Sequence, residues 1–356
     1  MGGNVPDDGG ERARTQLFGI LTQARLWQAI SAAASLRIPD QLRNGPRTTS
    51  DIAAEIGAHE PTLYRLLRAL AAAGILHEAE PRTFALTDLG RPLLSDVDGS
   101  MRDWATSMGR PYVHMAWSHL VDSVRSGENT FAALNGEDVW SWRAHEPAER
   151  ALFDGAMASL SAGLGQALVA AYDLTSMKEL VDVAGGTGTL LASVLAAQPQ
   201  LHGILFDQPD VVDSPGTTAV LEAAGVADRC ERLGGSFFEA VPEGADGYLL
   251  KAILHDWEDA DAVRILRTIR AAARARSRIL VLEVVIGPPN EDLAGKISDL
   301  TMLVMPGGRE RTEPEWRDLF DSGGFRLEQI RRLTPRWSLL VGIPKGSQPT
   351  ARSPEQ

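Results

Sequence analysis

Three side chains able to run or frame proton chemistry stand together at His255, Asp256 and Trp257, just after the mostly apolar stretch "LLKAIL" (residues 249–254). Histidine is the side chain whose ordinary pKa, about 6.5, lets it take or give a proton near neutral pH. Asp256 either binds a ligand and braces the turn or caps the following helix "EDADAVRILRTIRAA", a common task for Asp. Trp257 packs against a ligand or the core. Further on, "RILVLEVVI" predicts a buried strand with Glu283 toward its C-terminal end, the edge at which open α/β sheets bind ligands. A carboxylate there would hold the imidazole in one tautomer. Glu310 in "GGRERT" is a second candidate, its alternative being a surface salt bridge within "RERTE".

A second constellation lies upstream. The strand "ELVDV" runs into "AGGTG" and then the helix "TLLASVLAA", and Gly185, Gly186 and Gly188 let the backbone turn tightly and a cofactor lie against it. Nineteen residues after Gly188 the next strand, "HGILFD", ends at Asp207, placed to accept hydrogen bonds from both hydroxyls of a ribose. A nicotinamide dinucleotide fits poorly: its fingerprint wants Gly or Ala where Leu191 stands, and no second glycine-rich turn follows. Asp182, just before the glycines, would repel a pyrophosphate but suits a ligand with a positive end. S-adenosylmethionine carries both an ammonium and a sulfonium. A tight βα turn with no ligand is the alternative.

These residues need elements to hold them. The 356 residues, 44% of them apolar, suffice for about two domains with sizeable cores. Residues 11–100 read as helical, with "TTSDIAAEIG" a capped helix ended by Gly57. A second helix begins near Pro61, shows Leu63, Leu66, Leu67 and Leu70 on one face, and stops at Gly74; "FALTDLG" follows as a small strand or wing. This pattern predicts a winged helix-turn-helix. It carries ten Arg and no Lys against ten Asp and Glu, without the positive footprint of a DNA-binding surface, so subunit pairing is the better use.

Residues 101–172 are again helical and hold Trp104, Trp117, Trp140 and Trp142; the uncharged run from Gly155 to Tyr172 reads as a packed helix. From 173 to 345, "ELVDVAG", "HGILFD", "GYLL" and "RILVLEVVI" alternate with helices, the rhythm of a parallel sheet, and "FRLEQIRRL" with "WSLLVGI" predicts a terminal hairpin. The opening "MGGNVPDDGG" and the polar tail from Lys345 read as disordered. A net charge of −12 gives no general attraction to nucleic acid or anionic lipid. No membrane span or signal peptide is expected, and the lone Cys230 fits a reducing compartment, so the cytoplasm is the expected location.

"VDVAGGTGTL", "GSFFEAVPEGADGYLLKAILHDW", "LVLEVVI" and "MPGGRERTEPEWRDLF" resemble, in order, the motifs of the small-molecule S-adenosylmethionine-dependent O-methyltransferases. That group includes plant caffeate and flavonoid enzymes and bacterial enzymes of aromatic polyketide tailoring. The resemblance covers nearly the whole chain. It implies an α/β, Rossmann-like catalytic domain with a mostly parallel seven-stranded sheet, preceded by a helical, winged-helix-like domain used for homodimerisation. It also implies that Gly185 lines the methionine end of S-adenosylmethionine, Asp207 holds the ribose and Lys251 lies near the adenine and ribose side. Where the family usually has an Asp that bonds the adenine amino group, this chain has Ser236, a weaker acceptor; Phe237 beside it would stack on the ring. Ala184 replaces the first glycine of the loop.

The same resemblance groups His255 with Glu283 and Glu310. A phenol, with a pKa of about 10, needs a base to take its proton as it attacks, and His255 supplies one. Phe153 and Met157 match acceptor-pocket positions of the family, Met302 and Met305 precede "PGG" near the site, and Asp256 is a further contact; together they imply a flat, largely apolar acceptor, with plain core the alternative for the Phe and Met residues. No metal is expected, since no Asp/Asn ligand cluster stands out. Two competing functions remain: a related protein that binds S-adenosylmethionine but decarboxylates or hydroxylates, and a ligand-sensing DNA-binding regulator.

Overall fold

The computed structural model describes residues 8–346. Its chain divides into two compact units, one running to His114 and including Ala148–Leu160, the other formed by Met115–Pro147 and the chain from Ser161 on. The helical region between residues 101 and 172 is thus shared between them.

In the first unit a long helix, Asp8–Ser35, precedes strand β1 (Arg47–Thr48), helices Thr49–Ile56 and Glu60–Ala72, and strands β2 (Leu76–Glu80) and β3 (Thr83–Leu86). Local chemistry sets the ends. The Thr48 hydroxyl accepts the Asp51 N–H at the first helix's start, and Gly57, at φ 66°, closes it in a conformation that costs other residues energy. Ile38, Ile52, Leu63, Leu67, Leu70 and Phe84 form one buried core, while Leu66 stays at its edge. The strands make an antiparallel sheet in the order β1-β3-β2. "FALTDLG" supplies β3; its partner β2, polar at most positions, escapes the sequence reading. The expected disordered lead-in lies outside the described residues up to residue 7, but Asp8–Gly10 are already helical. The tail from Lys345 lies outside them after Gly346, and Lys345 itself is held, its N–H donating to Gly324 O at 2.9 Å.

The second unit is built on β4 (Glu179–Val183), β5 (His202–Asp207), β6 (Cys230–Gly234), β7 (Gly247–Lys251), β8 (Arg278–Glu283), β9 (Val285–Ile286), β10 (Arg311–Thr312), β11 (Phe325–Arg332) and β12 (Ser338–Pro344). Seven of these form one sheet, ordered β11-β12-β8-β7-β4-β5-β6, parallel except where β12 pairs with β8 and β11. Parallel strands covered on both faces are apolar throughout, which is why β4, β5, β7 and β8 bury nearly every residue and are plain in the sequence. The chain goes from β4 to one side of the sheet through β5 and β6 and to the other through β7 and β8. The crevice for a ligand opens at that switch, beyond the C-terminal ends of β4 and β7.

Two single elements of the sequence reading are split. The run "RILVLEVVI" breaks after Glu283 into β8 and the short β9, which leaves the large sheet and pairs in parallel with β10. The uncharged run from Gly155 is not one helix but parts of two, Pro147–Ser161 and Leu164–Ala171, separated at Gly163 with φ 70°. Among the described residues no helix is long and apolar enough to cross a membrane.

Candidate active site

Strand β4 ends in a turn whose backbone carries the first half of the site. Ala184 is left-handed at φ 57°, a conformation that a methyl side chain tolerates at some cost, and Gly186 and Gly188 share it at 59° and 77°. Gly185 is fixed by space: a Cβ there would lie 2.5 Å from the Leu205 side chain and 2.7 Å from that of Asp182. Gly186, by contrast, faces open space. Asp207, at the end of β5, accepts the Gly186 N–H through Oδ2 at 2.8 Å and the Gln208 N–H through Oδ1 at 2.7 Å, which locks the carboxylate across the mouth of the loop.

Asp182 lies deep in β4, and its Oδ2 has no hydrogen-bond partner among the described residues. Burial, aided by the Asp207 charge, pushes its carboxyl up to about 7 against the pull of Lys251. Lys251, at the end of β7, is brought down to about 8 by burial and by the Arg336 charge, and its Nζ rests over the Trp337 ring, 4.9 Å from the centroid. A buried carboxyl oxygen without a donor among the described residues, a bare backbone face and the carboxylate at the end of β5 fit S-adenosylmethionine. Ser236 is half-buried, and its Oγ accepts the Phe238 N–H at 3.3 Å. Phe237 packs edge-on against Phe238 and Trp257, with ring centroids 4.8 and 6.0 Å away. Trp257 belongs to this aromatic group, at the edge of the main core.

The second half gathers around His255, which sits in a single helical turn, Leu254–Asp256, just past β7. Glu283 reaches it from the end of β8. Its Oε1 accepts the backbone N–H groups of Ile253, Leu254 and His255 at 3.0, 2.9 and 3.4 Å, and its Oε2 lies 3.4 Å from His255 Nδ1. Glu310 comes from the segment before β10, and its Oε1 accepts from His255 Nδ1 at 3.0 Å and from Ser298 Oγ at 2.7 Å. It is no surface ion pair: Glu310 is 1% exposed, and Arg309 is the residue that pairs outward with Glu315. Asp256 does not cap the next helix, whose N-cap is Glu258; its Oδ1 lies 3.5 Å from His255 Nε2.

The charges decide what this turn can do. Burial alone would lower the His255 pKa, but Glu283, Glu310 and Asp256 around the ring hold it up at about 10. Asp256 is raised to about 7 by burial, and Glu283 is raised for the same reason. Glu310 resists burial: the imidazole and Ser298 keep its carboxyl below the ordinary value, so it is the ionised partner. In the neutral ring a carboxylate on Nδ1 fixes the proton there and leaves the lone pair on Nε2, the edge beside Asp256. His255, Glu283 and Glu310 place ligand atoms within 4.8 Å of one another, close enough to share a proton or, alternatively, to grip a cation.

The remaining predicted residues are distributed unevenly. Met302 is half-buried on helix Leu293–Val304, Met305 is buried at its end, and Asn129 Nδ2 secures that end by donating to the carbonyls of Leu303 and Met305 at 2.8 and 3.1 Å. Phe153 and Met157 are half-buried on helix Pro147–Ser161 and belong to the first unit. Sequence reasoning passes over Ser298, Asp299, whose Oδ1 accepts the Glu310 N–H at 2.9 Å, and Arg336, whose Nη2 donates to Ser298 Oγ at 3.4 Å. Only the Ser-Asp pair preceding a Met-rich helix end hints at the first two.

Comparison with known proteins agrees with this geometry. An O-methyltransferase domain family matches residues 117–326, and an O-methyltransferase dimerisation domain matches residues 18–96. The chain is 40% identical over 332 residues to a mitomycin biosynthesis 6-O-methyltransferase of Streptomyces lavendulae, covering 91% of this chain and 94% of that one. It is 37% identical to a phenazine O-methyltransferase, PhzM, of Lysobacter antibioticus, over 88% and 91% of the two chains. Among solved structures, the neocarzinostatin-biosynthesis O-methyltransferase NcsB1, in complex with S-adenosylmethionine and 2-hydroxy-5-methyl naphthoic acid, superposes with a TM-score of 0.75 at 32% identity, over 90% of this chain and 96% of that one. The fold, the cofactor and the motifs thus converge, and the chain belongs to the S-adenosylmethionine-dependent O-methyltransferase family.

Proposed function

We propose that this enzyme methylates a phenolic hydroxyl of an aromatic natural-product intermediate, with His255 as the general base. When bound, S-adenosylmethionine supplies a methyl group already activated on a sulfonium, so the protein's part is to align the acceptor and remove its proton. Asp207 would hold the ribose, Asp182 would face the cationic end, and Ser236, Phe237 and Lys251 would frame the adenine side. Met302 and Met305 would line the acceptor pocket, with Asp256 meeting a polar edge of the acceptor. The matched dimerisation domain supports a homodimer formed through the first unit, and the acidic, single-cysteine composition supports a small-molecule partner in the cytoplasm rather than nucleic acid or membrane.

One observation carries the base assignment: Nδ1 of His255 is bonded to Glu310 at 3.0 Å, which leaves Nε2 to receive a proton. The carboxylates around the ring make it more basic than a free imidazole, which favours taking the proton of a phenol. The same carboxylates keep the ring protonated at neutral pH in the ligand-free protein. The active neutral ring therefore grows in population as pH rises toward about 10, and kcat/KM should climb with it.

The test is methyl-label transfer to a panel of phenolic acceptors, compared between the enzyme and His255→Ala. Labelled ether product and a rate loss of roughly 10²–10⁴ in the variant are expected. Undiminished transfer by His255→Ala would remove the base, and decarboxylated or hydroxylated product without label would remove the methyl-transfer reading.

A further inference from the structure

The turn that carries His255 is gripped by three consecutive residues, Arg309, Glu310 and Arg311, each by a different means. The Arg309 N–H donates to His255 O at 2.8 Å. The Glu310 carboxylate takes the Nδ1 proton of the ring. Arg311 spans the turn from below: Nη1 donates to Leu254 O at 2.9 Å and Nη2 to Trp257 O at 2.9 Å, the carbonyls on either side of the His255–Asp256 pair. Nε and Nη2 also donate to Asp259 Oδ1, at 2.9 and 2.8 Å, and the guanidinium lies over the Trp316 ring, 5.4 Å from its centroid.

Arg311 is fully buried, a costly place for a cation unless every donor is used. Its carboxylate partner Asp259 is exposed, and Arg311 donates to none of the groups assigned to cofactor or acceptor. Its register is fixed independently, because Arg311 pairs with Val285 in the β9–β10 ladder, two residues after Glu283. Gly308 completes the grip: a Cβ there would lie 2.1 Å from His255 O and 2.3 Å from Asp256 C, so loop and turn are in backbone contact.

We propose that Arg311 is a positioning residue for the methyl-transfer reaction, its planar fork holding the Leu254–Trp257 turn so that Nε2 of His255 points at the acceptor oxygen. This rests on His255 being the base. Only a guanidinium reaches both carbonyls and Asp259 at once, so lysine is not an equivalent. Displacing a reacting group by about 1 Å costs on the order of a hundredfold in rate, which sets the scale of the effect.

The experiment compares Arg311→Lys, Arg311→Ala, Asp259→Asn and His255→Ala in the full-length enzyme, measuring kcat, acceptor KM, cofactor Kd by calorimetry, and Tm. Arg311→Lys and Arg311→Ala should lose about a hundredfold in kcat while cofactor Kd stays within about twofold. Guanidinium added below its unfolding concentration should recover roughly tenfold in Arg311→Ala, the worth of a charge-assisted hydrogen bond, with sodium chloride giving no recovery. If Arg311→Ala does not fold, Asp259→Asn, altered at an exposed side chain, should still lose several-fold in kcat alone. Wild-type kcat in Arg311→Lys, or losses of rate and cofactor affinity in equal measure without rescue, would overturn the inference. An inactive His255→Ala beside fully active Arg311 variants removes the positioning role only, whereas an active His255→Ala removes the base and this inference with it.

Discussion

Around Gly185–Gly188 the surface proposed to meet the cofactor is mostly main chain, with open space at Gly186 and one locked carboxylate, Asp207, at its rim. Around His255 the site is made of side chains, with His255, Glu283, Ser298 and Glu310 buried and tied to one another or to nearby main chain. The glycine turn is made by neighbours in sequence, while the proposed base assembly draws on residues from 253 to 336. Binding a cofactor needs shape, which a short loop can supply; removing a proton needs charges held apart at fixed distances, which only a folded framework supplies.

Four substitutions test whether the two halves are as separate as this contrast implies. The largest effect is expected from Gly185→Val, whose side chain has nowhere to go between Leu205 and Asp182. Cofactor Kd, measured by calorimetry, should rise by on the order of a hundredfold, about 2.8 kcal/mol, while the base turn stays intact; a Kd unchanged from wild type would break the assignment of the loop. Next comes Glu310→Gln, which removes the ionised partner of the ring. The kcat should fall by tens-fold, and the rising limb of the kcat/KM–pH profile should move toward acid, since a negative charge that holds the imidazole proton is gone. A limb that stays put means that another group reports it.

A smaller and opposite pair of effects is expected from Asp182→Asn. Its folded pKa, about 7, is raised by burial, so the stability that the protonated carboxyl contributes is complete below its unfolded pKa and lost as pH rises through about 7. Above that pH the Asn variant should melt higher, at ~2–4 °C per kcal/mol relieved, yet bind cofactor more weakly. Equal or lower Tm at pH 8 would show that the carboxylate is not the burden its burial implies. The finest adjustment is Ser236→Asp, which restores a charged acceptor on the adenine side and should tighten cofactor binding by roughly threefold to tenfold. No gain would take Ser236 away from the adenine.

Much of this was legible before any coordinates. The buried strands β4, β5, β7 and β8 announce themselves because both faces are covered, and each brings a named residue to its end: Asp182, Asp207, Lys251 and Glu283. Strand β6 was not legible: it is the sheet's edge, and "CERLG" keeps polar groups on its open side. The grouping of His255 with Glu310 followed from family resemblance rather than spacing, because 55 residues separate them. Ser298 and Arg336 were invisible for a related reason. A serine on a helix and an arginine in a hairpin loop gain meaning only when the fold brings them beside Glu310.

The parallel pairing of β9 with β10 ties the two carboxylate-bearing segments into one rigid piece, with Arg311 opposite Val285. In the proposed mechanism that piece keeps the carboxylates around the imidazole at constant spacing as one acceptor leaves and the next arrives.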